Sequence, residues 1–253
     1  MTIVTMQSMW KTYLRYFSWL ISLAAMGYLV YQLATYDHYD QIRLSLHDAN
    51  GYQWVGILSA ILLIPAQLLA ETRRWQWVLK GWKNISFIDS WRQVMAGMLA
   101  GFITPYRAGD VPARLAEDSL FSSSDQYALS SDSSWKDQFQ HWLKDWHKWG
   151  WVLVWTVIRY AVWGVQLWGV LTFVGIYLSP WQAVSSIALY YVVISLMPGL
   201  PAADVAIKGG WAAMIFGQFT TNVVAITIAV SIIWLLNTIL PVIWAEIEKL
   251  TRR

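Results

Sequence analysis

The sequence predicts an all-α protein: a polytopic bundle of transmembrane helices with two proline-broken or re-entrant segments and an amphipathic helix at the membrane interface. Three observations carry that expectation. Of the 253 residues, 57% are hydrophobic and only 13% charged, where soluble domains carry about a quarter charged residues. Several apolar runs approach the roughly 20 residues that cross a bilayer. The chain also holds 19 tryptophans and 13 tyrosines, rings that favour the boundary between lipid and water. A net charge of +3 with no basic stripe gives no sign of a nucleic-acid partner. The absence of cysteine removes disulfides, thiolate nucleophiles and sulfur-ligated zinc.

Taken in order, the first apolar run is 17–34, between Lys11 and Arg15 on one side and Asp37 and Asp40 on the other. Polar sequence follows it with no small-residue cleavage site, so it reads as a retained span. The second run, 52–70, ends at Glu71-Thr72-Arg73-Arg74-Trp75. The third, 94–106, is short, and both a crossing and a re-entrant turn are open for it. Residues 116–149 begin as a serine-rich polar loop. They continue with Trp135, Phe139, Trp142, Leu143, Trp146 and Trp149 on one helical face and Lys136, Gln140, Lys144 and Lys148 largely opposite. Such a helix either lies in the membrane interface or packs on the protein's own surface. Runs 155–178, 181–197 and 220–244 complete six spans in a single domain, 1–253. The 71–93 loop carries Arg73, Arg74, Lys80, Lys83 and Arg92, and 35–53 only Arg43. The excess of bases puts 71–93 and the N-terminus in the cytoplasm.

Two segments break the apolar pattern alike. Ala108-Gly109-Asp110-Val111-Pro112-Ala113-Arg114 and Ala202-Ala203-Asp204-Val205-Ala206-Ile207-Lys208 both read Ala, small, Asp, Val, two spacers, base. Four of the seven prolines lie in or just before these heptads. Proline breaks a helix and leaves backbone groups that lipid cannot satisfy, so such breaks survive where protein or a water-filled cavity meets them. Acids and bases at membrane depth pair or line a pathway, and paired breaks in two halves point to a transporter's binding site. One reading is a polar cavity where Arg107, Arg114 and Lys208 meet an anionic group while Asp110 and Asp204 orient them or carry a proton. The other is a pair of solvated span ends.

"ETRRWQWVL" followed by "GFITPYRAGDVPARL", and later "IRYAVWGVQ", "SLMPGLPAADVAIKGGWA" and "IIWLLNTILP", together resemble the lysylphosphatidylglycerol synthase transmembrane-domain family, flippase-like membrane proteins. The likeness covers roughly 60–115 and 150–245. Tyr106 stands where that family usually has glycine, and Asp110 where glutamate is more typical. The soluble, amphipathic 116–149 segment also departs from it. The resemblance implies a membrane part without the soluble aminoacyl-transferring domain, set in a bacterial cytoplasmic (inner) membrane. It implies translocation of an anionic lipid or lipid-linked group between leaflets, with membrane lipids as partners. The positions it marks are Glu71, Arg74, Thr104, Arg107, Asp110, Arg114, Arg159, Asp204 and Lys208.

Arg159 and Gln166, seven apart, share a helix face, where Arg159 either reaches a lipid phosphate or snorkels to the interface. Glu71 lies within reach of Arg73 and Arg74, a pairing that reads as structural. Thr220, Thr227, Ser231 and Thr238 form a stripe suited to gluing helices. No metal or cofactor is expected: His141 and His147 fall on different faces, and Asp37, His38 and Asp40 read as a solvated loop. Asp110-x-x-Ala113-Arg114 echoes part of the CDP-alcohol phosphotransferase pattern without its glycine after the first aspartate, so an enzyme is not expected. A structural or partner-binding membrane protein and, further off, a lipid-modifying enzyme are the alternatives.

Overall fold

The computed structural model shows short polar caps opening several of the helices. It describes residues 50–80, 84–104, 107–116, 144–196 and 204–251. The span expected at 17–34 and the 117–143 part of the polar segment lie outside them. Every regular element among the described residues is helical.

Asn50 starts helix α1 (Gly51–Leu62) with a capping box: its side chain accepts from the Gln53 amide while Gln53 Oε1 accepts from the Asn50 amide. Helix α2 (Ile64–Leu79) follows after one residue, with Pro65 in its first turn, where a missing N–H costs little. The two form one 29-residue run. Helix α3 (Phe87–Ile103) is capped by Ser86 and ends at Thr104 in an extended conformation, as the residue before a proline favours. The short helix α4 (Asp110–Ala116) follows. Helix α5 (Trp146–Phe173) begins at the Asp145 cap and ends at Gly175, whose φ is +85°. Bonds from the Gly175 amide to Thr172 O and from the Ile176 amide to Leu171 O close its last turn in the manner of a Schellman motif. Helix α6 (Pro180–Leu196) opens with proline after a Ser179–Gln182 capping box. Helices α7 (Asp204–Phe216) and α8 (Val223–Trp234) follow. After α8 the chain widens into a π-helical turn (Leu235–Ile239) before helix α9 (Leu240–Thr251). Pro241 explains the widening: it has no amide for the Asn237 carbonyl and its ring crowds that carbonyl.

Helix α5 runs through the middle and packs on α1, α2, α6 and α8. It meets α1 at Gly56 and Gly169, whose backbones touch, the close approach that small residues permit. Near its start, Trp151 stacks on Trp77 of α2 at 5.4 Å, and Lys80 Nζ sits 3.9 Å from the centre of the Trp77 ring. One apolar core joins α5, α6, α7 and α8 around Leu167, Leu171, Ile187, Phe216 and Ile226. A second joins α2, α3 and α9 around Leu68, Trp75, Val94, Met98 and Ala245. Two helical runs, Gly51–Leu79 and Val223–Glu248, are long and apolar enough to cross a membrane.

Several expected boundaries move. The helix expected at 52–70 continues to Leu79, and the one expected at 94–106 begins at Phe87. The run 155–178 starts earlier, at Trp146, so the end of the expected interfacial helix is the first turn of α5. There Lys148 is buried and Trp146 is exposed; the rest of the expected interfacial helix, 135–143, lies outside the described residues. Thr227 and Ser231 give their hydroxyl protons to Val223 O and Thr227 O of their own helix rather than across to a neighbour.

A methyl group at Gly56 would fall on the Gly169 carbonyl, where backbone cannot turn aside. Gly56→Ala is expected to lower stability by about 1–3 kcal/mol, measured as loss of melting temperature in detergent. Gly150→Ala, with open space at the new Cβ, is expected to hold or raise it.

Candidate functional site

The site begins with one buried carboxylate. Glu71 lies on α2 with 1% of its surface exposed, and three arginines from three helices converge on it. Arg74, one turn on, reaches Oε1 at 2.7 Å; Arg114 of α4 reaches the same oxygen at 2.9 Å. Arg159 of α5 approaches Oε2 at 3.1 Å, yet Oε2 accepts no hydrogen bond. The Arg159 guanidinium instead lies over the Trp163 ring, 4.1 Å from its centre.

Arg114 also donates through Nε to Asp110 at 2.6 Å, and its guanidinium rests over Trp75. Trp75 is fixed in turn by a 2.6 Å bond from its Nε1 to Gln93. Asp110 takes a second, longer contact from Arg107 at 3.4 Å. Four guanidinium groups thus share two carboxylates, leaving the cluster two positive charges in excess.

Glycines make this packing possible. A Cβ at Gly97 would strike Asp110 Oδ1 and the Arg114 side chain, and one at Gly101 would crowd Asp110 and Arg107. The turn into α4 is tied by Thr104, whose hydroxyl donates to Ala100 O at 2.7 Å and accepts from the Gly109 amide at 2.8 Å. Arg107 within that turn has φ +53°, a conformation that carries strain in a non-glycine residue. The break after α3 holds Arg107 in a posture the free chain would avoid.

Beside the cluster opens a cavity of about 420 Å³. Among the described residues, Arg107, Arg159 and Lys208 supply its charged lining, and no carboxylate lines it. Its walls are largely aromatic: Tyr160, Trp163, Tyr190, Tyr191, Phe102 and Trp234. Tyr191 donates to Trp163 O at 3.1 Å, and Tyr160 Oη lies 3.3 Å from Ser195 Oγ, so the wall is cross-braced between α5 and α6. The neutral polar lining comes from Gln67, Ser195, Asn237 and Thr238.

The expected residues divide into four groups: cavity lining, ion-pair cluster, one residue apart from both, and one outside the described side chains. Arg107, Arg159 and Lys208 line the cavity. Arg114, expected to hold a head group, is buried in the ion-pair cluster instead, because Glu71 and Asp110 occupy both edges of its guanidinium. Asp110, Arg74 and Thr104 set the geometry of that cluster and its turn. Gln166 lies away from the charges, donating to Ala60 O at 2.9 Å and accepting from Asn237 at 3.0 Å. Asp204 opens α7, but its side chain lies outside the described residues. Glu71, read as pairing locally, is the hub of three helices. Gln67, one turn before Glu71, and Tyr191 carry no sequence signal of their own, while Trp163 and Asn237 lie within the stretches "IRYAVWGVQ" and "IIWLLNTILP" without a role assigned there.

Among the described residues no group of three or more His, Asp or Glu side chains is placed to hold a metal. Compared with protein-family models, with curated proteins and with solved structures, the chain matches none.

Removing the charge of Glu71 leaves buried arginines without their shared partner, and breaking a buried pair costs about 3–5 kcal/mol. Glu71→Gln is expected to lose that much, seen as a large fall in the denaturant midpoint in detergent. Arg107→Gln breaks only a half-exposed 3.4 Å contact and is expected to cost less than about 1 kcal/mol.

Proposed function

We propose that the protein is a polytopic membrane protein of flippase-like type, moving an anionic lipid or lipid-linked group between leaflets. The observation that carries the reading is the charge segregation at the cavity. Glu71 and Asp110 are held among arginines beside it, while Arg107, Arg159 and Lys208 line it. A cavity whose described lining carries cations favours a phosphate or carboxylate ligand. Aromatic walls suit the apolar part of the same molecule.

Two further points support the reading. The cavity draws on the breaks the sequence marked, with Arg107 from the first and Lys208 from the second, the arrangement expected where transporters bind substrate. The exposed apolar side chains Leu58, Leu62, Leu69, Val154, Val157, Leu189, Ile243 and Ile247 suit helices that face lipid. In this reading the bundle sits in a cytoplasmic membrane with Glu71 toward the inner face. The likeness to the lysylphosphatidylglycerol synthase transmembrane-domain family rests on the motifs themselves and points the same way.

Liposomes carrying the protein and a fluorescent anionic lipid test the proposal through the fraction of label that a membrane-impermeant quencher can reach. Arg159→Gln and Lys208→Gln are each expected to slow movement at least ~10-fold, the effect of one lost charge-assisted bond. Arg92→Gln, at an exposed 3.7 Å pair with Asp89, is expected to leave the rate unchanged. Wild-type protein that moves the lipid no faster than empty liposomes would contradict the proposal and favour a structural or partner-binding role.

A further inference from the structure

The described helices pack as two groups. Helices α5, α6, α7 and α8 share one apolar core, while α3 and α9 share the other with α2. Packing follows the same division: α6 and α8 each lie on α5 and α7, whereas α3 lies on α4 and α9. Helix α2 packs on both α3 and α5. The cavity lies on the seam between the groups. Met98 and Phe102 of α3 and Val242 of α9 line it from one group, and Tyr160 and Tyr191 of α5 and α6 from the other.

One helical run passes from group to group. Ile226, Val230 and Ile233 of α8 are buried in the first core and Ala245 of α9 in the second. The π-helical turn Leu235–Ile239 falls between them. Pro241 denies the Asn237 carbonyl its α-helical donor, and a run bends most readily at a proline or a π-helical turn. The turn itself is pinned to α5, where Asn237 Nδ2 donates to Gln166 at 3.0 Å. Beyond it, Trp91 of α3 donates to Glu248 at 3.1 Å and meets the Trp244 ring edge-on at 6.4 Å, so α9 is fastened to α3. Across the seam, Phe102 of α3 and Trp234 of α8 meet as tilted rings 6.4 Å apart, a contact without the directional bond that fastens α9. A second tie lies at Glu71, which holds Arg114 of α4 and Arg159 of α5 to α2.

We propose that the π-helical turn is a hinge. Helices α3 and α9 swing as one unit against α5–α8, with the turn and the Glu71 cluster as fixed points, and the swing widens and narrows the cavity between Phe102 and Trp234. The hinge goes beyond the transport reading and stands without it, since it governs how the cavity opens whatever enters. Ile247 lies eight residues past the turn, a lever of about 12 Å at the α-helical rise. A change of about 20° in the bend moves that end by about 4 Å.

Double electron–electron resonance on the full-length chain in phosphatidylcholine nanodiscs reads this movement, and the absence of cysteine lets pairs of spin labels be placed. Labels at Ile247→Cys and Val192→Cys, both exposed positions, span the seam. Labels at Val157→Cys and Val184→Cys, also exposed, stay within one group. The seam pair is expected to give a distance distribution about 4 Å wider than the within-group pair. Pro241→Ala returns a donor to the Asn237 carbonyl. It is expected to narrow the seam distribution to the width of the within-group pair and to leave that pair unchanged. Equal widths for the two pairs in otherwise wild-type protein overturn the hinge. A wide seam distribution that Pro241→Ala leaves unchanged overturns it as well, because the movement then arises outside the π-helical turn.

Discussion

The arrangement depends on one carboxylate that three helices share. Without Glu71 there is no reason for Arg114 of α4 and Arg159 of α5 to turn inward at the same point of α2. Charges at that depth are expensive, and the expense is offset only when they are paired and hydrogen-bonded. The pairing is uneven. Arg74 and Arg114 both bond to Oε1, whereas Arg159 faces Oε2 without a hydrogen bond and lies along Trp163. That unevenness joins structure to chemistry. The first two cations are consumed in holding helices together, and the third pairs with Oε2 at 3.1 Å while lining the cavity.

The second carboxylate extends the logic to the broken segment. Asp110 heads α4 and clamps Arg114 at 2.6 Å, with a weaker hold on Arg107 at 3.4 Å. An acid and a base four apart bridge one face of a helix, and here the bridge also docks the helix, because Gly97 and Gly101 leave room for it on α3. Arg107 ends at the cavity mouth, strained at φ +53° and half exposed. Arg114 in the ion-pair cluster and Arg107 at the cavity are thus only seven residues apart.

Much of this was legible in the sequence. The apolar runs marked several of the helices, while the caps at Asn50, Ser86 and Ser179 that set three of the starts were not among the signals read. The proline breaks lie close to the cavity, since Arg107 and Lys208, which line it, both come from them. What stayed hidden were relations between distant residues. Nothing local told Arg114 from Arg159: each is a lone arginine near an acid or an apolar stretch, and only the crossing of α2 with α5 decides which one faces the cavity. Glu71 looked like a partner for its neighbours because the i, i+3 pair with Arg74 is the only one visible along the chain. The side-chain hydrogen bonds of Gln67 and Asn237 depend on a tryptophan 96 residues from Gln67 and a glutamine 71 residues from Asn237, a coupling no periodicity carries. The start of α5 was placed too late because its first turns carry tryptophan and lysine rather than an apolar run, and the Asp145 cap opens the helix at Trp146.

The central claim is that the cavity beside Glu71 is electropositive and open to an anionic ligand. The natural absence of cysteine allows one to be placed at Ser195, a lining position between Tyr160 and the aromatic wall. The most direct measurement compares how fast anionic and cationic methanethiosulfonate reagents modify that cysteine, each rate divided by the same reagent's rate on glutathione, with and without anionic lipid. The account predicts that the anionic reagent is favoured and that anionic lipid slows both. A preference for the cationic reagent, or rates indifferent to charge and to lipid, would contradict it.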